Sequence, residues 1–297
     1  MKRSPFRPLI LILLLVVTFA ESGRAQAGWD AYFARYDEGL GSVALNMDVA
    51  SSAPRRDLPF LLVIGLTCRK HTGDGFPVQR EFKRMNRLSD DIIREVFSTS
   101  GSARTHGVPV GTFTCQWQRL EYIYVADTTE LRAALEAYKS KYASYSFRIE
   151  LTEDPEWDTY RNFLYPNEAV RTYMMNNRAV TQMSDAGDAL SRPRFVEHLI
   201  YFDTIKDREL FIRYLGGTKY DIKDEHDTRR DSLRYQVRVA RFGMVSLEEM
   251  NNQTTYLCSK AREFNGVYDG WITKLIGTKQ RFRLLYNAIA EPINTAK

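Results

Sequence analysis

The sequence predicts an α+β protein built from two tandem ferredoxin-like modules, each a two-layer strand, helix, strand, strand, helix, strand unit with an antiparallel sheet. Three observations carry this. Apolar residues switch between period two and the three-to-four spacing of a helix face. The switches run in the same order over residues 60–151 and again over 195–276. Between the two stretches, residues 154–187 read as a helical connector.

Taken in order, residues 28–35 read as a short leader whose Trp29, Tyr32 and Phe33 dock on the first sheet. Residues 42–49 alternate Val43, Leu45 and Met47 with smaller or polar groups, as a half-buried strand does. After a polar turn at 54–57, the run Phe60-Leu61-Leu62-Val63-Ile64 is apolar on both faces, as in a covered central strand. The loop His71-Thr72-Gly73-Asp74-Gly75 ends that strand. Phe82, Met85, Leu88, Ile92, Val96 and Phe97 then recur at helical spacing. Strands follow at 108–117 and 120–125, then a helix with Leu131, Ala134, Leu135 and Tyr138 on one face, capped by Thr128 or Thr129, then a strand at 145–151.

In the connector, Asp154-Pro155 reads as a helix start with proline at the first helical position, and Trp157, Tyr160, Phe163 and Leu164 give that helix an apolar side. Pro166 ends it, a second helix covers 168–183, and Gly187 stops that one. The second module opens with a strand at 195–202 and a helix at 206–215 burying Leu210, Phe211 and Tyr214. Strands at 220–222 and 235–245 flank a charged hairpin. Leu247, Met250, Leu257, Ala261 and Phe264 line a long helix that Gly266 stops, and 271–276 is the last strand. Residues 278–297 read as a basic tail.

The N-terminus carries Lys2, Arg3 and Arg7, an apolar run over 9–17, and then Ala25-Gln26-Ala27. That is the order of a secretory signal peptide. Residues 9–20 are too short to cross a bilayer, which takes about 20 apolar residues. Cleavage after Ala27 is expected, placing the chain in the periplasm or outside the cell with no stable membrane insertion. The expected organisation is therefore 1–27 signal peptide, 28–166 first domain, 167–277 second domain and 278–297 tail. The net charge is +5, and residues 1–27 hold four basic groups and one acid, which leaves about +2 beyond them. Such a mixed, near-neutral surface lacks the electrostatic footprint of a nucleic-acid binder, so none is expected as partner. The three cysteines make no disulfide framework. Cys68 and Cys115 could pair if their strands are neighbours, and otherwise all three are core thiols.

No convergent catalytic set emerges. Asp221, Asp224, Glu225, His226 and Asp227 crowd one hairpin, but without the glycine or spacing of a calcium loop, and Lys223, Arg229 and Arg230 neutralise them. His198 follows Glu197 on a strand, and alternation puts it on the face of Val196, Ile200 and Phe202, as a buried core histidine. The run Ser98-Thr99-Ser100-Gly101-Ser102 with His106 lacks a nucleophile elbow. Neither zinc-ligand spacing nor a phosphate-binding glycine loop occurs, and no cofactor is implied. In Tyr268-Asp269-Gly270-Trp271, Gly270 reads as a turn and Trp271 as a cover for the end of the core.

Asn177-Arg178, Val180, Met183, Ala186-Gly187-Asp188, the strand Arg194-Phe195-Val196-Glu197-His198-Leu199-Ile200-Tyr201-Phe202, Glu263 and Tyr268-Asp269-Gly270-Trp271 together resemble the RraB family, the regulator of ribonuclease E activity. The resemblance runs over residues 168–277. It implies a ferredoxin-like fold and a non-catalytic inhibitor that binds an RNA-processing enzyme. Asn46-Met47-Asp48, the 59–64 strand, the Gly-Asp-Gly-Phe-Pro turn at 73–77, Tyr122-Ile123-Tyr124, and Asp154-Pro155-Glu156-Trp157 with Tyr160 resemble the DUF695 domain family, which implies no activity. The leading expectation is an exported, non-enzymatic binder of another protein, with Glu197, His198, Tyr268, Asp269 and Trp271 as partner-binding candidates. Two alternatives stand beside it. One is an envelope hydrolase with a cleft between the domains near His71, Asp74 or His198; the other, if residues 1–27 are not a signal, is a cytoplasmic ribonuclease E regulator.

Overall fold

The alternating apolar stretches form strands, and their register builds two antiparallel sheets, one in each half of the chain. The computed structural model describes residues 28–97, 106–129, 131, 132, 135, 136, 139, 145–227, 232–277 and 283–285. The expected signal segment, the hydroxyl-rich run at 98–102, the helix positions Ala134 and Tyr138 and most of the tail lie outside them. The chain parts into two compact units between Pro166 and Asn167.

The first unit comprises β1 (Trp29–Tyr36), β2 (Gly39–Asn46), β3 (Phe60–Thr67), α1 (Gln79–Phe97), β4 (Gly107–Cys115), β5 (Gln118–Val125) and β6 (Phe147–Glu153). Its six strands lie in the order β1-β2-β4-β5-β3-β6. Residues 131, 132, 135, 136 and 139 are helical. Leu62, Ile64, Leu66, Ile123 and Val125 meet Met85, Leu88, Ile92, Leu131 and Leu135 in the core beneath the helices.

Four sequence expectations change here. The leader is the strand β1, hydrogen-bonded along its whole length to β2 from Trp29↔Asn46 to Tyr36↔Gly39. Only Tyr32 and Tyr36 on it are buried, so its alternation is faint in the sequence. Trp117 leaves the expected strand for a two-residue hairpin turn, with Gln116 and Trp117 both at positive φ (45° and 64°). Cys68 belongs to the helix-side core. Cys115 points to the other face by alternation, on a strand that β5 separates from β3. That geometry forbids the bridge, and Cys68, Cys115 and Cys258 are free thiols.

The fourth change concerns the connector. The helix expected from Pro155 forms only at Thr159–Leu164, as one wide π turn. Trp157 turns back at φ 57° and stacks on Tyr124, with ring centroids 4.0 Å apart. Its Nε1–H donates to the Leu58 carbonyl at 3.0 Å. Asp154 serves as a hub: its carboxylate accepts the Tyr124 hydroxyl at 2.6 Å and the N–H groups of Asp158 and Thr159 at 2.8 and 3.0 Å. Tyr32 and Tyr160 donate to the Leu164 and Asn46 carbonyls at 2.9 and 2.8 Å. Residues 154–165 thus strap the sheet face opposite α1, because burying Trp157 on Tyr124 outweighs one more turn of regular helix.

The second unit comprises α2 (Glu168–Asp185), β7 (Arg194–Phe202), α3 (Ile205–Leu215), β8 (Asp221–Asp227), β9 (Tyr235–Gly243), α4 (Leu247–Glu263), β10 (Gly266–Lys274) and β11 (Arg283–Leu285). The sheet order is β11-β10-β7-β9-β8. Each helix has a side-chain cap, Asn167, Thr204 and Ser246 accepting from the N–H groups of Val170, Asp207 and Glu249. Ile200, Phe202, Val237 and Val239 pack on Phe211, Leu215, Leu257 and Ala261. Four boundaries or faces differ from expectation. β8 absorbs the charged hairpin up to Asp227, and β10 starts at Gly266 rather than 271. Residues 283–285 of the tail pair with Ile272, Thr273 and Lys274. Leu210 stands exposed while Arg208 is buried, paired with Glu225 at 3.4 Å and Asp227 at 3.3 Å.

Trp157→Ala, which removes the stacked ring and its hydrogen bond, is expected to destabilise the first unit by about 3–5 kcal/mol. Urea unfolding followed by tyrosine and tryptophan fluorescence measures this; a loss below about 1 kcal/mol would contradict the strap's role.

Candidate functional site

The residues singled out by the sequence meet where β7, β10 and α4 pack together. On β7, alternation directs Val196, His198, Ile200 and Phe202 toward the helices, and all four are fully buried. Glu197 faces the other way, 3.5 Å from Arg238, which also lies 3.9 Å from Asp224. Opposite β7, Tyr268 pairs with Ile200 and Trp271 with His198, and the register slips between Tyr268 and Gly270. Asp269 is therefore the extra residue of a β-bulge, and Gly270 sits at φ 121°, a backbone open to glycine and strained for other residues. The sequence suggested a turn here; the motif instead lies inside a continuous strand.

The bulge has a geometric consequence. Residues three apart on a regular strand point to opposite faces. The inserted Asp269 restores the phase, so Tyr268 and Trp271 both enter the helix-covered side.

Their polar atoms are then satisfied in one direction around the core. Gln253 donates its amide N–H to Glu249 at 3.1 Å, so its carbonyl oxygen faces His198 Nε2 at 3.0 Å. That oxygen can only accept, which puts the imidazole proton on Nε2. Nδ1 is left to accept from the Tyr268 hydroxyl at 2.9 Å. Arg241 holds Glu249 at 3.1 Å and closes the chain. Burial drives the His198 pKa down from 6.5 to about 4, with the Arg241 cation adding to the effect and the Gln253 bond opposing it. Burial likewise raises the Tyr268 hydroxyl well above its ordinary value. The imidazole is a neutral, fully bonded spacer with no free nitrogen for chemistry.

Trp271 is anchored beside it. Its Nε1–H donates to Asn176 Oδ1 at 2.8 Å, and Asn176 Nδ2 donates to Thr254 Oγ1 at 2.8 Å and Asn251 Oδ1 at 2.9 Å. One side chain of α2 thus ties β10 to α4. At the end of the sheet, Arg194 grips Asp188 with two hydrogen bonds of 2.8 and 2.6 Å, both groups buried, and also reaches the Lys274 carbonyl at 3.0 Å. Asp188 accepts the Ile276 N–H as well. Asp188 and Arg194, separate parts of the sequence pattern, form one clamp.

Of the five candidates, His198, Asp269 and Trp271 are buried, and Glu197 and Tyr268 are half-buried. His198, Trp271 and Tyr268 shape the interior. The sequence reading missed Asn176, Gln253 and Thr254. The signal for the last two was present in α4, where Gln253 and Thr254 interrupt the apolar face of Met250, Leu257 and Ala261 at helical spacing.

The other candidate chemistries are dispersed. His71 stacks against Trp117 at 5.0 Å, and Asp74 accepts the Thr72 hydroxyl. His198 is fully buried in the core of the second unit. His106 lies 3.1 Å from Arg55 and 3.7 Å from Asp57 at the surface. The β8 acids face solvent beside Arg208, Arg238 and Lys223. Among the described residues no group of three or more His, Cys, Asp or Glu side chains could hold a metal ion. Among them, too, no helix is long and apolar enough to cross a membrane.

Two predictions test the seam. Asn176→Ala leaves the indole N–H of Trp271 and the Thr254 hydroxyl without their shared partner, and a loss of about 1–3 kcal/mol is expected in denaturant unfolding. A loss within error would mean that the asparagine is dispensable. For His198, the unfolded chain takes up a proton near pH 6.5 while the folded one resists until about pH 4. Its contribution is fully present above pH 6.5 and is lost as pH falls toward 4, by about 3 kcal/mol at most. Comparing unfolding of the native chain and His198→Gln between pH 7 and 4 should show a shallower slope for the variant; equal slopes would refute the assignment.

Residues 174–273 match the model of the family described as Regulator of ribonuclease activity B (RraB). Residues 27–165 match that of a Family of unknown function (DUF695). No curated protein matches the chain. The C-terminal part of this chain is similar to the RraB regulators, and its N-terminal part to DUF695.

Proposed function

We propose that this is an exported, non-catalytic regulatory protein that acts by binding another protein through its second unit. The observation that carries this reading is the RraB match over 174–273, across a unit in which His198, Tyr268 and Gln253, and Trp271 and Asn176, hydrogen-bond one another in the interior. A catalytic histidine needs a nitrogen within reach of substrate. His198 has none to offer. Export rests on the basic, apolar and small-residue order of residues 1–27.

Each unit is, on this reading, ferredoxin-like. In the second, β7, α3, β8, β9, α4 and β10 follow one another and the sheet runs β10-β7-β9-β8. In the first, β3, α1, β4, β5, the helical residues 131, 132, 135, 136 and 139, and β6 follow, with β6-β3-β5-β4 as the matching order and the β1–β2 hairpin added at the β4 edge. That recurrence supports two copies of one plan with different elaborations.

Residues 28–297, tethered and exposed to an envelope extract, are expected to retain one protein reproducibly and to release it to free chain. If none is retained while a panel of esters, peptides and phosphoesters is hydrolysed, the binding reading is wrong. N-terminal sequencing of the chain from intact cells should begin at Gly28. An intact Met1 in the soluble cytoplasmic fraction would overturn export alone.

A further inference from the structure

We infer that the outer edge of β1 pairs with the same edge of a second copy of this chain, so that two first units share one antiparallel sheet across a twofold axis. Such pairing lies in the first unit and is separate from whatever the second unit binds.

Four strands lie at sheet edges: β1 and β6 in the first unit, β11 and β8 in the second. An edge strand offers a row of unused N–H and C=O groups, and proteins defend such rows with charge, proline, bulges or brevity. β8 carries four acids, Lys223 and a register slip between Ile222 and Asp224. β11 has three residues, and β6 sets Arg148, Glu150 and Glu153 along its seven. β1 is the least defended. It runs for eight residues without proline, pairs with β2 from end to end without a slip, and balances one acid, Asp30, against one base, Arg35. Among the described residues no strand covers its outer edge.

The backbone decides which groups face outward. Gly28 and Met47 continue the β1–β2 register, and the Met47 N–H donates to the Gly28 carbonyl at 2.7 Å. Bonded and non-bonded pairs alternate along an antiparallel ladder. Asp30, Tyr32, Ala34 and Tyr36 therefore turn their amides to β2, and Trp29, Ala31, Phe33 and Arg35 turn theirs outward. The Ala31 N–H agrees with this, since the neighbouring Asp30 carboxylate accepts it at 2.9 Å.

This row fits a second copy of itself. In an antiparallel pair centred on Tyr32, Trp29 faces Arg35 of the second copy and Ala31 faces Phe33 of the second copy, each twice. Four facing pairs that each exchange two hydrogen bonds give eight along the strand. A slip of two residues leaves three pairs and six bonds, and a slip of one sets the outward groups against amides already spent on β2. The side chains of the four lie on the face opposite the strap, because Tyr32, of the other phase, donates to Leu164 on it. Ala31 is exposed, Phe33 is 36% exposed with its ring edge-on to Phe76 at 5.8 Å, and Trp29 and Arg35 are half-buried. Each large Phe33 thus settles beside a small Ala31, each guanidinium beside an indole, and no charge faces its like. Pairing of β1 with β1 closes at two copies, whereas β1 against β6 would leave one of each edge open and keep growing.

Sedimentation velocity of residues 28–297 at rising concentration is expected to show monomer passing into dimer, with no larger species. Ala31→Pro removes an outward N–H on an edge strand, where proline is tolerated, and should weaken the dimer at least about tenfold. Phe33→Lys, at an exposed side chain, should do the same by setting a cation in the seam. Position 29 reports the register: Trp29→Lys, facing Arg35 of the second copy, should weaken the dimer, and Trp29→Glu should keep or strengthen it. Circular dichroism confirms that each variant is folded. Monomer alone at every concentration, species growing beyond the dimer, or a dimer that Ala31→Pro and Phe33→Lys both leave intact would overturn the inference. So would dimers of equal strength from Trp29→Lys and Trp29→Glu, since Arg35 of the second copy would then lie elsewhere.

Discussion

One inserted residue organises the second unit. Without Asp269 as a bulge, Tyr268 and Trp271 would stand on opposite faces of β10, and only one could reach the core. With it, Tyr268 meets His198 and Trp271 meets Asn176 on the same side. Gly270 makes this possible because the bulge needs a φ of 121° that a side chain would resist. The rest follows from those two contacts. His198 is held in a single tautomer, Gln253 and Thr254 are fixed by partners outside their own helix, and α4 is registered against the sheet by hydrogen bonds as well as by apolar packing. A polar network of this kind is worth having only when complete, since an unpaired member in a low-dielectric interior costs more than the bond it replaced would give.

The two units close their sheets differently. In the first, α1 covers one face and the aromatic strap of 154–165 the other, so Tyr32, Tyr124, Trp157 and Tyr160 are all buried with their polar atoms engaged. In the second, the helices cover one face, while the other keeps Phe195, Phe242 and Val267 exposed. The strap depends on Asp154 much as the core of the second unit depends on His198. In each case one side chain accepts the hydroxyl of a tyrosine on a strand distant in sequence, Tyr124 in one and Tyr268 in the other. Most of the exposed large apolar side chains thus lie in the RraB-like half, with Phe33 and Trp117 exposed in the first unit.

The sequence made the strands and long helices legible wherever one face was continuously apolar, as in Leu62, Ile64 and Leu66 or in Met250, Leu257 and Ala261. It also placed His198 correctly on the inner face of β7, because that strand has no irregularity. It failed where phase or backbone sign changes. The Tyr268–Trp271 spacing reads as a turn unless the bulge is known, and Trp157 reads as helix unless its φ of 57° is known. β1 was obscured because only two of its eight residues are buried. Asn176 was invisible for another reason: its role depends on two residues 75 and 78 positions away, and no local pattern encodes such a meeting.

The motif that carries the likeness to RraB therefore reports architecture more directly than it reports binding. Trp271 and His198 are buried, and a partner cannot touch them without unfolding the unit. What they secure is the register of β10 against β7, and through Asp188 and Arg194 the position of the sheet's end. Phe195 lies next to Arg194 on β7, and its carbonyl accepts the Thr273 hydroxyl of β10 at 2.8 Å. Phe195 is consequently held beside the Arg194–Asp188 clamp at the end of the sheet. The buried pattern thus fixes the scaffold by contacts that leave the outer face of the sheet outside that task.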